Sequence, residues 1–332
     1  MRPDPRDPRL MLLALAAASL MLALLGPRIE TTRVGYDLLA IVDITGSMNV
    51  RDYTIAGKPA SRLDAIKSDL REAISSLPCP STVALGIFTE RRPFLLFEPI
   101  DACREFSPLA AAIDALDWRM AWEGDSRISA GLFRSIDMAR ELKSDLLFFT
   151  DGHEAPPLPA NGGPVFEGRP GEVRGLIVGV GGHELSPIPK FDDRGREVGF
   201  VGVDEVPHES RFGLPPKGAE QREGFNARNA PFGAAAAIGV EHLSSVKEDY
   251  LRDLAGKTRL AYARLGDREV LDAYLAAATP RQRVAELDPR SFLGVAATLF
   301  LFLSSAWSPI VEYVARKRRG GKAQSSVNRG TP

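Results

Sequence analysis

Asp43, Thr45 and Ser47 occupy alternate positions in Asp43-Ile44-Thr45-Gly46-Ser47, directly after the apolar run Leu38-Leu39-Ala40-Ile41-Val42. One carboxylate and two hydroxyls on a tight turn form an oxygen-donor set, and the hard cations Mg²⁺ and Ca²⁺ prefer oxygen. A second carboxylate, Asp151, follows the apolar run Asp145-Leu146-Leu147-Phe148-Phe149-Thr150 and precedes Gly152. Between the two, Gly124-Asp125-Ser126-Arg127-Ile128-Ser129 supplies a third oxygen-bearing segment, with Ser126 as its hydroxyl donor. Hydroxyl ligands are neutral, so a divalent ion held by them keeps unsatisfied charge and an open position. A carboxylate from another protein can fill that position, which is the chemistry of binding rather than of turnover. The plainer reading makes Asp43 and Thr45 helix caps, a role both residue types fill well, and Asp151 an ordinary strand-to-loop turn.

These side chains need strands to carry them to one edge. Apolar runs predict strands at 37 to 42, 82 to 89, 94 to 98, 145 to 150 and 174 to 180, and helices fit 61 to 77, 107 to 116, 129 to 142 and 246 to 255. The alternation implies a doubly wound, mostly parallel α/β sheet with helices on both faces, whose ligands gather beyond the carboxyl ends of the strands. Leu63, Ile66, Leu70, Ala73, Ile74 and Leu77 repeat at helical spacing, which makes them the face packed on the sheet.

Asp-x-Thr-Gly-Ser-Met after a first strand, Gly-x-Ser leading into Ala-Gly-Leu, and Phe-Phe-Thr-Asp-Gly after a later strand together resemble the von Willebrand factor A domain and its metal-ion-dependent adhesion site. The match runs from about residue 36 to 278. The resemblance implies a Rossmann-like sheet with an antiparallel edge strand, Thr45, Ser47 and Ser126 in direct contact with Mg²⁺ or Ca²⁺, and Asp43 and Asp151 acting largely through water. Thr45 stands where the family usually has Ser and Ser126 where it usually has Thr; neighbouring Asp125 could compete as a ligand. Among bacterial two-span members, Asp43 to Tyr53 and the overall length look most like the MxaL type, accessory proteins of periplasmic methanol dehydrogenase. That likeness implies no enzymatic activity but a role in maturing the dehydrogenase, including its calcium supply, with the dehydrogenase or its other accessory proteins as partner through an acidic residue. An aerotolerance-type role in assembling another envelope complex is the alternative.

Two apolar segments bracket this domain in the 332-residue chain. Residues 10 to 25 carry no charge and 292 to 311 are almost wholly apolar, each near the ~20 residues that a spanning helix needs. Leu24-Leu25-Gly26-Pro27 makes a poor signal-peptide cleavage site, which favours an uncleaved anchor. Arg2, Arg6 and Arg9 before the first segment, and Arg316 to Arg319 with Lys322 after the second, put both termini in the cytoplasm by the positive-inside rule. The expected layout is a cytoplasmic 1–9, a span at 10–27, the domain at 36–278 in the periplasm, a span at 291–312 and a basic tail at 313–332, anchored in a bacterial inner membrane. A formal net charge of -1 gives no electrostatic case for nucleic acid.

The fold expected from the resemblance would pair the strands around 82 to 89 and 94 to 98 as an antiparallel hairpin with Glu90-Arg91-Arg92-Pro93 as its turn. Cys79 and Cys103 would then be neighbours able to form a disulfide in an oxidising compartment. The Gly- and Pro-rich stretch at 184–240 breaks the alternation; Ile188 to Phe200 reads as a hairpin turning at Asp193-Arg194-Gly195, a partner-contact arm or a cover for an edge strand. Familiar enzyme motifs are missing: there is no HExxH and no P-loop, and Ser47 lacks the glycines of a nucleophile elbow. His153, two residues past Asp151, reads as a solvated loop residue on the rim of the site.

Overall fold

The computed structural model describes residues 7–26, 28–121, 125–158, 162–192, 194–206, 218–221, 225–227, 240–266 and 270–307. The chain divides into two compact units, one spanning residues 33 to 283 and one made of the two terminal segments.

The larger unit is built on a six-stranded sheet: β1 (Asp37–Asp43), β2 (Thr82–Thr89), β3 (Arg92–Asp101), β4 (Asp145–Thr150), β5 (Gly175–Gly179) and β6 (Ala261–Arg264), in the spatial order β6-β5-β4-β1-β2-β3. Every pairing is parallel except β2 with the edge strand β3. β1 lies at the centre with all seven residues buried. Its alternation feeds two cores. Leu38, Ala40 and Val42 pack with α1 (Arg62–Ser75), α2 (Phe106–Asp114) and α5 (Val270–Ala277), whereas Leu39 and Ile41 pack with α3 (Ile128–Glu141) and α4 (Glu248–Thr258). A strand covered on both faces must be continuously apolar, which is why the runs in β1, β4 and β5 are so legible. This is the doubly wound α/β plan expected, with its antiparallel edge.

α1 starts on a reciprocal cap: the Ser61 hydroxyl accepts from the Asp64 backbone N–H at 3.0 Å while the Asp64 carboxylate accepts from the Ser61 N–H. All six members of its apolar stripe are buried. α3 lies so close to β2 that a Cβ added at Gly131 would fall 2.0 Å from the Phe88 ring, so only glycine fits there.

Several details differ from the sequence reading. The β2–β3 turn is only Glu90-Arg91, because Thr89 already pairs with Arg92. Glu90 takes φ 59° to make so tight a reversal, and Pro93 fits inside β3 because an edge strand has one side without ladder partners. β6, α5 and a two-stranded ribbon of Ile29–Gly35 with Arg281–Leu287 were not anticipated. α4 begins at Glu248, two residues later than expected, and the N–H groups of Val246 and Lys247 just before it donate to the Gly182 and Asp151 carbonyls. In agreement with the expectation, Cys79 and Cys103 form a disulfide, with Cα atoms 6.1 Å apart, between the chain entering β2 and the chain leaving β3.

In the 184–240 insertion, Pro189–Phe191 pairs with Glu197–Phe200 as an antiparallel hairpin, and Ser186–Pro187 pairs with Leu243–Ser244. Asp193, placed in the hairpin turn by the sequence reading, lies outside the described residues, as does most of 207–239. In the terminal unit, helices Pro8–Leu25 and Arg290–Trp307 have mean hydropathies of 2.0 and 1.3 and are almost wholly exposed, long and apolar enough to cross a membrane. The basic tail lies outside the described residues.

Candidate metal centre

β1 and β4 are adjacent, and the connections leaving their carboxyl ends run to opposite sides of the sheet. That is the topological switch point, where open α/β sheets leave a crevice. Asp43 ends β1 and Asp151 follows β4, so the two carboxylates reach the crevice from neighbouring strands.

Asp43 is fully buried. Its Oδ1 accepts from the Thr45 backbone N–H at 2.9 Å and the Thr45 hydroxyl at 2.7 Å, and its Oδ2 accepts from the Thr150 hydroxyl at 2.7 Å. The Ile44 N–H donates to the Phe88 carbonyl, fastening the turn to β2, and Gly46–Asn49 then winds as a short 3-10 turn that buries Ser47. Asp151, also fully buried, accepts at Oδ1 from the His153 N–H at 2.9 Å and at Oδ2 from Ser244 Oγ at 2.8 Å. The sharp departure of the chain after it needs Gly152 at φ 77°.

A residue with no assigned role in the sequence reading dominates the electrostatics. Arg62, in the first turn of α1, has no exposed surface. Its Nη1 donates to Asp151 Oδ2 at 2.7 Å and to Ser244 Oγ at 2.7 Å. Its Nη2 donates to Asp52 Oδ2 at 2.8 Å and to the Ser244 carbonyl at 3.2 Å, and its Nε to the same Asp52 carboxylate at 3.0 Å. Asp52 in turn accepts from the Gly182 N–H at 2.8 Å. One guanidinium therefore ties the turn after β1, the end of β4 and both stems of the insertion. Burial opposes its charge, but Asp151 and Asp52 more than offset that and raise its pKa.

The two acids share their charge unequally. Burial and the nearby Asp151 charge push Asp43 up to about 7, against the lowering effect of the Thr45 and Thr150 bonds. Burial works on Asp151 too, yet Arg62 beside it, helped by the His153 N–H and the Ser47 hydroxyl, lowers it below the ordinary carboxylate range. Asp151 keeps its charge and Asp43 is left competing for a proton, the pattern of coupled carboxylates.

Ser126 is brought to the same rim. Its backbone bridges to Glu90 on one side and exchanges N–H to carbonyl bonds of 2.7 and 2.8 Å with Ala155 on the other. Its hydroxyl is buried and has no hydrogen-bond partner. Asp125 turns toward Arg127, with 3.7 Å between carboxylate and guanidinium.

These residues fit a divalent cation. An orphaned buried hydroxyl at Ser126 and a carboxylate at Asp43 driven toward protonation are both relieved by a cation, and the hydroxyls of Thr45 and Ser47 retain lone pairs to offer. No group of three or more His, Cys, Asp or Glu suited to a metal occurs among the described residues. A hydroxyl-based site does not need one.

His153 departs from the expected solvated rim residue. It is buried, and burial lowers its pKa despite the neighbouring Asp151. The chain returning from the insertion at 240–247 covers it, and nothing in the local sequence signals that cover.

No family profile matches the sequence, and no curated protein matches it at a significant level. Among solved structures it is similar to an aerotolerance-related membrane protein from Bacteroides fragilis, at 12% identity and TM-score 0.44, over 73% of this chain and 98% of that one. It is also similar to a membrane-spanning protein from Vibrio fischeri, at 16% identity and TM-score 0.28, over 72% and 94%. A third similarity is to manganese-loaded TRAP from Plasmodium vivax, at 11% identity and TM-score 0.33, over 79% and 82%. The chain is a doubly wound, mostly parallel α/β protein with an antiparallel edge strand and with two apolar helices long enough to cross a membrane, and its own sheet order carries that description.

Proposed function

We propose that this protein is a membrane-anchored binding module that captures a carboxylate of a partner protein on a divalent cation, Mg²⁺ or Ca²⁺. Thr45, Ser47 and Ser126 hold the ion directly, and Asp43 and Asp151 hold it through water. The observation that supports this reading best is the buried, unpartnered hydroxyl of Ser126 on the crevice that also receives Asp43 and Asp151. Arg62, paired with both Asp151 and Asp52, offsets part of the anionic charge at the crevice, and the neutral hydroxyl ligands would leave the ion an attraction for an external acid. The ion would supply the point of attachment; the chain's own residues, Arg62 and Asp52 above all, orient the loops around it.

The two apolar helices anchor the module in the bacterial inner membrane with its domain in the periplasm, a placement supported by the basic residues at both ends of the chain. The finer reading is maturation of periplasmic methanol dehydrogenase, including calcium insertion, with assembly of a different envelope complex as the alternative. A metal-dependent hydrolase is the competing class. It requires an oriented general base, and the nearest candidate, His153, has an Nδ1 with no partner to orient it.

Calorimetric titration of the purified full chain with Mg²⁺ and Ca²⁺ tests the site. Ser126→Ala is expected to weaken binding about tenfold or more, the scale of a lost ligand at ~1.4 kcal/mol, and Asp125→Asn to have the smaller effect. The reverse ranking would describe a closed cation cage without an adhesive position. A crosslinked pulldown from native membranes, with Asp43→Ala as the control that folds but does not bind, separates methanol dehydrogenase from other clients.

A further inference from the structure

Gly152, the residue after Asp151, forms one wall of an open cavity of about 270 Å³. That is just under the ~300–1,000 Å³ of sites that enclose whole small molecules, and it suits a single side chain. Pro157, Leu158, Val240 and Leu243 supply aliphatic walls, and none of the four is buried; Val240 is 47% exposed. An occupant can therefore touch these side chains.

The charged residues of the walls offer an occupant little. Glu154 turns Oε1 inward, where it accepts from the Ser129 N–H and hydroxyl, both at 2.9 Å, and from the Tyr250 hydroxyl at 2.5 Å, and its other oxygen is buried. His153 is buried as well. Lys247 shares the wall with Glu241, its ammonium 3.5 Å from Ser245 Oγ. A cationic occupant would meet Lys247, and an anionic one would meet Glu154 and Glu241, so either sign of charge is opposed. A neutral aliphatic side chain meets no such opposition. It would take out of water both its own surface and that of Leu158, Val240 and Leu243, which is the driving force for filling such a cavity.

We propose that this cavity is a socket for an uncharged aliphatic side chain of the partner protein, a leucine, isoleucine or methionine close to the acidic residue that reaches the metal. The assignment of the occupant to a partner rests on the binding-module reading above, and the shared wall at Gly152 makes the socket continuous with the crevice that receives Asp151. Apolar anchors seated in pockets carry much of the energy of protein interfaces. An acid alone would be matched by many protein surfaces; the demand for an apolar neighbour narrows the choice.

The test is a methyl-detected NMR titration of the full chain in detergent, with chelator present, using N-acetyl-leucine methylamide against its alanine, lysine and glutamate counterparts. The leucine probe is expected to shift the methyl signals of Leu158, Val240 and Leu243 and to bind at least about tenfold more tightly than any of the other three. Leu243→Trp, which fills the socket, is expected to weaken leucine-probe binding by a similar factor. Val240→Glu, which sets a charge on an exposed wall and so spares the core, is expected to do the same. No binding of the leucine probe, no preference for it, or undiminished binding in either variant that circular dichroism shows to be folded overturns the proposal. Because chelator is present throughout, the outcome is independent of the cation, so failure of the metal site and failure of this socket register separately.

Discussion

Arg62 is the side chain whose removal should cost the domain most. Replacing it with Met leaves Asp151 and Asp52 without their shared counter-charge, and breaking a buried pair by deleting one partner costs about 3–5 kcal/mol. Arg62→Lys should recover only part of that, because an ammonium cannot reproduce the fork that reaches Asp52, Asp151 and Ser244 together. Urea unfolding of both variants measures it, and a loss under about 1 kcal/mol for Arg62→Met would show that the guanidinium does not hold these loops. Asp43 gives a pH signature in metal-free protein. Its folded-state pKa of about 7 lies above the ordinary 3.8, so the stabilisation from its protonation is complete below 3.8 and is lost as pH rises through 7. Asp151 is shifted the other way, and its contribution is lost only as pH falls below the ordinary carboxylate value. In chelator the domain should therefore gain stability from this residue between pH 8 and pH 5, and Asp43→Asn should flatten the slope. Thermal unfolding across that range decides, with an unaltered slope in Asp43→Asn counting against the assignment.

Among the elements, α3 packs closely on β2 at Gly131. Gly131→Val would drive a side chain into the Phe88 ring, and overpacking of this kind typically costs about 1–3 kcal/mol. Combining it with Phe88→Ala should destabilise less than the sum of the two single changes, since the second makes room for the first; strict additivity in denaturant titrations would mean that the two do not share the space. The elements most legible in the sequence are those whose burial leaves a continuous or helical-period trace: β1, β2, β4 and β5, and the stripe of α1. β6 escaped because Ala261-Tyr262-Ala263-Arg264 is an edge strand, none of whose residues is fully buried, so it carries no apolar run. Asp43, Thr45 and Ser47 stand out because they follow the apolar run of β1, and Asp151 because it follows that of β4; Ser126 lies in a loop with no such trace, and the resemblance alone marks it as a ligand. Arg62 was not, because it sits just inside a capped helix start and its chief partners lie 89 and 182 residues away; local spacing carries no sign of pairs so distant. His153 was misplaced for the same reason, its cover coming from the far side of the insertion.

For the whole molecule the decisive measurement is topology. A phosphatase fused within residues 184 to 235 should be active and one fused after Arg319 inactive, since the basic residues outside the two apolar helices favour the cytoplasm; the opposite pattern would overturn the proposed placement. The pairing of Arg62 also has a consequence in time. A nascent chain makes α1 long before it makes Ser244, and every contact of the guanidinium except those to the neighbouring Asp52 and Ser47 waits for residues 151 and 244 to arrive. Contacts so distant along the chain form slowly, and until they form, a charged side chain cannot enter the interior without penalty. The crevice that receives Asp43 and Asp151 is thus assembled last, after the insertion has been synthesised and its two stems have closed. A half-made or clipped domain would present no finished crevice.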